Sequence, residues 1–216
     1  MIYCISDIHG ESDKFHEMLK LINFSDEDTL YILGDVIDRH PGGVDILQEI
    51  IATPNMVMIL GNHEEMCLKT LGPQNEFGYR DMWKQNGGSS TYRELLYHTT
   101  TIGRNQILDF IANLPTSLDI EGNGRKFHLV HGWPSTNHDD QIWGRPMDFL
   151  GRYWPDDVTA IIGHTPTIHL TGDKSEAPFH IYHSDGWIDI DCGCGNVTQR
   201  RRLACLRLDD MKEYYV

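Results

Sequence analysis

Five times along this chain a strand-length apolar run stops at a polar cluster that holds Asp, His or Asn beside a glycine. The first run closes in Ser6-Asp7-Ile8-His9-Gly10, and the second in Gly34-Asp35-Val36-Ile37-Asp38-Arg39. The third closes in Gly61-Asn62-His63-Glu64, and the later ones in His131-Gly132 and Gly163-His164-Thr165. Between the first three runs lie helical stripes. Phe15, Met18, Leu19 and Ile22 follow three- and four-residue steps over residues 11–22, as do Val44, Leu47, Ile50 and Ile51 over residues 41–51, which open with Pro41. A third helix is expected over 64–71. Strand, helix, strand, helix, strand in so few residues requires parallel pairing with right-handed crossovers. Parallel strands deliver their C-terminal loops to one edge, where open α/β folds bind ligands.

The expected strands are 2–6, 29–33 and 56–60, then 117–120, 125–130, 158–162, 168–170, 179–182, 187–190 and 203–208. Asn123-Gly124 makes a hairpin turn between two of them. Residues 72–104 carry few periodic apolar positions and read as short helices and loops capping the site, with a further helix over 105–113. The predicted architecture is α/β: a single domain over residues 1–216, built as a sandwich of two mixed β-sheets flanked by helices.

A formal net charge of −14 argues against nucleic acid or an anionic membrane as partner, because both need clustered Lys and Arg. No apolar run approaches the roughly 20 residues of a membrane span, and the chain begins directly on a strand with no signal-peptide pattern. Five irregularly spaced cysteines fit reduced thiols in a cytoplasm. Cys192-Gly193-Cys194 has no second Cys/His pair to complete a zinc site.

Asp7, His9, Asp35, Asn62, His131 and His164 form the candidate ligand set. Alone, each is an ordinary turn former, helix cap or loop histidine. Together, at strand ends sharing one edge, they are an oxygen and imidazole set suited to Mn, Fe, Zn or Mg. Six ligands exceed one tetrahedral site and match two ions sharing a bridging carboxylate. Two such ions are a device for in-line displacement at phosphorus.

The ordered motifs S-D-I-H-G, G-D-V-I-D-R, G-N-H-E, H-G and G-H-T resemble those of the calcineurin-like metallophosphoesterases. G-D-V-I-D-R with G-N-H-E resembles the phosphoprotein phosphatase branch, in particular the small bacterial and phage lambda-type serine/threonine phosphatases. Asn86-Gly87-Gly88, Ile142-Trp143-Gly144-Arg145, Ile190-Asp191-Cys192-Gly193 and Gly195-Asn196 extend the similarity over nearly the whole chain. The resemblance implies that Asp7 and His9 bind one divalent ion, that Asp35 bridges, and that Asn62, His131 and His164 bind the second. Manganese is the first expectation, with iron or zinc as alternatives. It further implies that Arg39 and Arg145 hold the phosphate and that His63 is the general acid, oriented by Asp38. Asn62 and His63 then also border the substrate. A hydroxide held between the ions attacks phosphorus in line, and an imidazole protonates the departing alkoxide. Ser6 and His40-Pro41 depart from the family pattern, which often has glycine at these places.

The activity implied is dinuclear-metal hydrolysis of phosphoserine and phosphothreonine in proteins. The alternative is a symmetrical diadenosine tetraphosphatase, or another nucleotide phosphohydrolase, with the same centre. Glu64 favours the former, since the other group tends towards Asp there. A non-catalytic binding module should have lost a ligand, Arg39 or His63, and all are present. The partner is thus a phosphoprotein or a phosphorylated small molecule; oligomeric state is not legible. His138-Asp139-Asp140 reads as a polar loop, His169, His180 and His183 as sheet-surface residues, and Arg200-Arg201-Arg202 as a solvated hairpin turn. Glu64 and Glu65 read as structural residues of a helix N-terminus. Trp143 is either core or cleft wall.

Overall fold

The computed structural model describes residues 1–149, 157–172 and 175–216. In the first sheet β1 (Ile2–Ile5), β2 (Thr29–Ile32) and β3 (Met56–Met58) run parallel. Their crossovers are α1 (Ser12–Leu21) and α2 (Gly43–Ala52), and β3 leads into α3 (Asn62–Leu71). The segment that follows carries α4 (Tyr79–Gln85), α5 (Ser89–Arg93), a π-helical turn (Glu94–His98) and α6 (Thr101–Ala112). The second sheet contains β4 (Ser117–Gly122), β5 (Arg125–Val130), β6 (Val158–Ile162), β7 (Tyr182–His183) and β8 (Trp187–Asp189), in the order β4-β5-β6-β8-β7. Between β5 and β6 comes α7 (His138–Trp143), and after β6 comes α8 (Ile168–Thr171). The chain then returns to the first sheet through β9 (Ala204–Arg207) and β10 (Lys212–Tyr215), giving the order β10-β9-β1-β2-β3. Both sheets are mixed: β9 runs antiparallel to β1, and β4 antiparallel to β5.

The period-2 alternation of strands sorts the core. Tyr3 and Ile5 of β1 face the helices and pack with Phe15, Met18, Val44 and Leu47. Cys4, between them, faces the other sheet and joins Phe127, Leu129, Ile161, Ile188 and Leu206. Burying each large side chain of that inter-sheet layer stabilises the fold by about 1.5–3 kcal/mol. That layer fixes one sheet against the other, so that loops from both open onto one cleft.

Two expected strands differ. Residues 168–170 form α8, because Pro166 and Thr167 start a turn in which the His169 and Leu170 amides bond to the Pro166 and Thr167 carbonyls. In the 179–182 segment regular pairing begins only at Tyr182. The 105–113 helix starts earlier, at Thr101, where the Thr100 hydroxyl accepts the Gly103 amide. Among the described residues no helix is long and apolar enough to cross a membrane.

Candidate metal centre

Asp7, His9, Asp35, His131 and His164 sit on loops that leave the C-terminal ends of β1, β2, β5 and β6, and Asn62 opens α3 just after β3. Their backbones are unusual for residues with side chains. Asp7, His9, Asp35, Asp38, Arg39 and His164 all have positive φ, between 51° and 76°. Such left-handed residues cost roughly 1–2 kcal/mol each outside glycine, and concentrations of them mark functional sites. Glycines let the loops meet. A Cβ on Gly61 would lie 2.4 Å from both the Asp35 amide nitrogen and its carboxylate.

Asp35 is buried at the centre. Its Oδ2 lies 3.6 Å from His9 Nε2, and its Oδ1 lies 3.4 Å from His131 Nε2. Two groups with atoms close enough to share a cation therefore meet at this residue: His9, Asp35 and His63, and Asp35, His131 and His164. Asn62 Oδ1 completes the second group, 3.0 Å from both His131 Nε2 and His164 Nδ1. Asp7 joins the first, with Oδ1 3.8 Å from His9 Nε2. Its other oxygen accepts the His164 amide at 3.0 Å and the Ser6 hydroxyl. Serine in place of the family's glycine thus adds a donor to the Asp7 carboxylate.

The donor set fits divalent cations. His9 Nδ1 bonds to the Ile37 carbonyl at 3.0 Å, which leaves Nε2 a lone pair that is buried without a hydrogen-bond partner among the described residues. His131 repeats the pattern, with Nδ1 on the Leu33 carbonyl at 2.6 Å. A ring nitrogen tied to a backbone carbonyl, with the other aimed into a polar pocket, is the usual posture of a metal-binding imidazole. Among the described residues His164 Nε2 is also buried without a hydrogen-bond partner. Around His131 Nε2 the neighbours Asn62 Oδ1 and Asp35 Oδ1 are both acceptors, so some cation must sit among them. Burial opposes a charge on His131, yet the neighbouring Asp35 carboxylate outweighs it and pushes the imidazole up to about 10. The proton takes the place a metal ion would hold.

His63 groups with His9 and Asp35, but its surroundings differ from a ligand's. Nδ1 is 2.6 Å from Asp38 Oδ2, while Nε2 is 3.5 Å from the Arg39 guanidinium. Burial disfavours the imidazolium, but the Asp35 and Asp38 carboxylates prevail and raise its pKa. A cation beside Nε2 suits proton donation better than metal binding. Arg39 is exposed and Arg145 half-buried. Their nearest polar partners, Asn196 and Thr165, lie at 3.5 Å, so both guanidinia can turn to an anion. Asp38 is fully buried.

Glu64 and Glu65 do more than favour a helix N-terminus. The fully buried Glu64 carboxylate accepts the amides of Asp35, Val36 and Ile37 at 2.8, 2.9 and 3.3 Å, clamping the Asp35 loop. Replacing Glu64 by Ala strands three buried amides and should lower stability by about 3 kcal/mol, measured as a shift of the urea midpoint. Glu65 holds His138 Nε2 at 2.7 Å and the Trp143 indole at 3.2 Å. Trp143 stands edge-on to His164, so it is a wall of the centre. His138-Asp139-Asp140 is the start of α7, capped by the Asn137 side chain, and not a loop. The three arginines at 200–202 are structural ties: they donate to the carbonyls of Ala177, Cys194 and Phe179 respectively, and Arg201 also pairs with Glu11. Asp191, behind the centre, is buried, and burial together with the Asp7 charge raises its pKa.

A family model described as calcineurin-like phosphoesterase matches residues 1–190. The chain belongs to this family. Membership makes it a phosphoric ester hydrolase and implies a centre of two divalent ions, which the donor set above fits. Serine/threonine-protein phosphatase 2 of Escherichia coli (strain K12) is 26% identical over 161 residues, covering 72% of this chain and 68% of that protein. The symmetrical bis(5'-nucleosyl)-tetraphosphatase of Delftia acidovorans is 43% identical over 174 residues, covering 76% of this chain but 57% of that protein. Among solved structures, a protein serine/threonine phosphatase from Saccharomyces cerevisiae superposes with a TM-score of 0.61 at 13% identity, over 94% of this chain and 71% of that one. That last likeness speaks for the fold alone.

Proposed function

We propose that this chain is a phosphomonoesterase that removes phosphate from serine and threonine side chains of proteins, with all 216 residues acting as one domain around two divalent ions. The observation that carries this reading is the groove beside Arg39. It encloses about 680 Å³ and is lined by Arg39, His40, Gln85, Asn86, Asn196 and Thr198, with Gly87, Gly195 and Val197. Among the described residues that line it, Arg39 is the one formally charged group. A phosphopeptide brings its charge only at the phosphate and continues as neutral backbone, whose amides can be met by Gln85, Asn86 and Asn196. A tetraphosphate chain carries about four charges and would need further cations in the groove.

When bound, the ions lower the pKa of a water and offset phosphate charge. Asp7 and His9 would hold one, Asn62, His131 and His164 the other, and Asp35 both. Arg39 and Arg145 bind and orient the phosphate oxygens. His63 Nε2–H donates the proton to the leaving alkoxide, and Asp38 keeps the Nδ1–H in place behind it. Manganese is the metal first proposed, as the imidazole and oxygen donors accept it without thiolate. Free, buried cysteines at positions 4, 67, 192, 194 and 205 support a reducing, cytoplasmic setting.

The second reading, a symmetrical dinucleoside tetraphosphatase, is favoured by the 43% identity to the Delftia protein. Parallel assays with a phosphoserine peptide, diadenosine tetraphosphate and simple nucleotides, all with added Mn²⁺, separate the two. The peptide is expected to give kcat/KM at least about tenfold above the dinucleotide. Cleavage of the dinucleotide alone would overturn the assignment.

A further inference from the structure

We propose that Trp83, in the segment capping the cleft, is a positioning residue for the Asp38–His63 pair, and so sets how well His63 delivers its proton. This rests on the reading of His63 as the proton donor. Trp83 is fully buried. Its indole Nε1–H donates to Asp38 Oδ2 at 2.6 Å, the same oxygen that meets His63 Nδ1 at 2.6 Å. The other Asp38 oxygen is buried and without a partner among the described residues. One carboxylate oxygen therefore carries both bonds, and the indole fixes where it stands.

The same segment holds the backbone of Asp38 and Arg39. The Asp38 amide donates to the Thr91 hydroxyl at 3.0 Å, and the Arg39 amide to the Gly87 carbonyl at 3.2 Å. Both residues are left-handed, with φ of 76° and 67°, so the turn that presents the carboxylate and the guanidinium relies on outside contacts to keep its shape. Gly88 in turn seats the indole. A Cβ there would lie 2.4 Å from both Trp83 Cδ1 and Nε1. The capping segment thus reaches the chemistry through three contacts on two adjacent residues.

The test is a leaving-group series on the Mn²⁺-loaded protein: p-nitrophenyl phosphate, phenyl phosphate and a phosphoserine peptide, with wild type, W83F, G88A and H63N. Trp83→Phe keeps an aromatic ring at this buried position but removes the donor together with part of the ring volume. It should lower kcat about tenfold for the peptide, less for phenyl phosphate and least for p-nitrophenyl phosphate, with KM within about twofold throughout. Gly88→Ala, which displaces the indole, should repeat the pattern. Melting temperatures of both variants check folding. A loss equal for all three esters, or no loss, would overturn the role of Trp83 if H63N shows the steep dependence. If H63N itself shows none, the proton-donor reading fails and this proposal falls with it.

Discussion

Asp35→Asn should reduce turnover of every phosphate ester by about 10³-fold or more and lower the number of bound divalent ions. The carboxylate stands between two sets of acceptors, one oxygen 3.6 Å from His9 Nε2 and the other 3.4 Å from His131 Nε2. The second oxygen also accepts the His63 amide at 3.0 Å. Asparagine nearly preserves the shape but offers one oxygen in place of two, and no charge. Its NH₂ group would face either His9 or His131 and would offer no ligand atom on that side. Asparagine would hold a pair of divalent ions less well, and such ions would supply the charge that displacement at phosphorus needs. Because the fold around the site keeps Glu64 and its three amide contacts, the variant should still fold. A far-UV spectrum and melting curve beside the rate assay separate lost chemistry from lost structure. Wild-type rates in Asp35→Asn would show that the carboxylate holds nothing.

His63→Asn should lower kcat for a phosphoserine peptide by about 10²–10⁴-fold while changing KM little. The alkoxide of serine is a strong base and leaves poorly without a proton, whereas p-nitrophenolate leaves unaided, so p-nitrophenyl phosphate should lose less than about tenfold. The imidazole is suited to the task. It is buried, its pKa is raised against that burial by Asp35 and Asp38, and Nε2 lies 3.5 Å from the Arg39 guanidinium. Asparagine can fill part of the volume but has no proton to give near neutral pH. An equal loss for both substrates would mean that His63 shapes the site and does not protonate the leaving group.

Much of this arrangement could be read from the chain because it follows from simple periodicities. Apolar runs of strand length alternate with helical stripes, and a glycine beside each polar cluster marks where a tight loop must form. Parallel topology then brings Asp7, Asp35 and Asn62 to one edge, and the second sheet adds His131 and His164. Contacts between distant segments were not legible in this way. Nothing in the spacing says that Glu64 would accept three amides from the Asp35 loop, or that the Trp83 indole would reach Asp38 across 45 positions. Glu64 and Glu65 read as helix-start charges because that local preference is general, while their tertiary partners are particular. The left-handed φ of Asp38 and Arg39 is likewise set by contacts from the capping segment and not by residue type. Residues 168–170 read as a strand because Ile168 and Leu170 alternate with the polar His169, and so short an alternation cannot distinguish strand from helix. There the turn started by Pro166 and Thr167 decided the outcome. β10 is not legible in the sequence, since the exposed Lys212 and half-buried Glu213 mask the pairing of Tyr214 and Tyr215 with β9.

The most direct test of the account is to count metal. Purified protein equilibrated with Mn²⁺, freed of excess and analysed by elemental mass spectrometry, should hold close to two ions per chain, and Asp35→Asn about one or fewer. Activity should vanish on chelation and return in proportion to the metal restored. Fewer than one ion bound to wild type, or full activity after exhaustive chelation, would contradict the claim that loops from both sheets converge to hold a pair of cations.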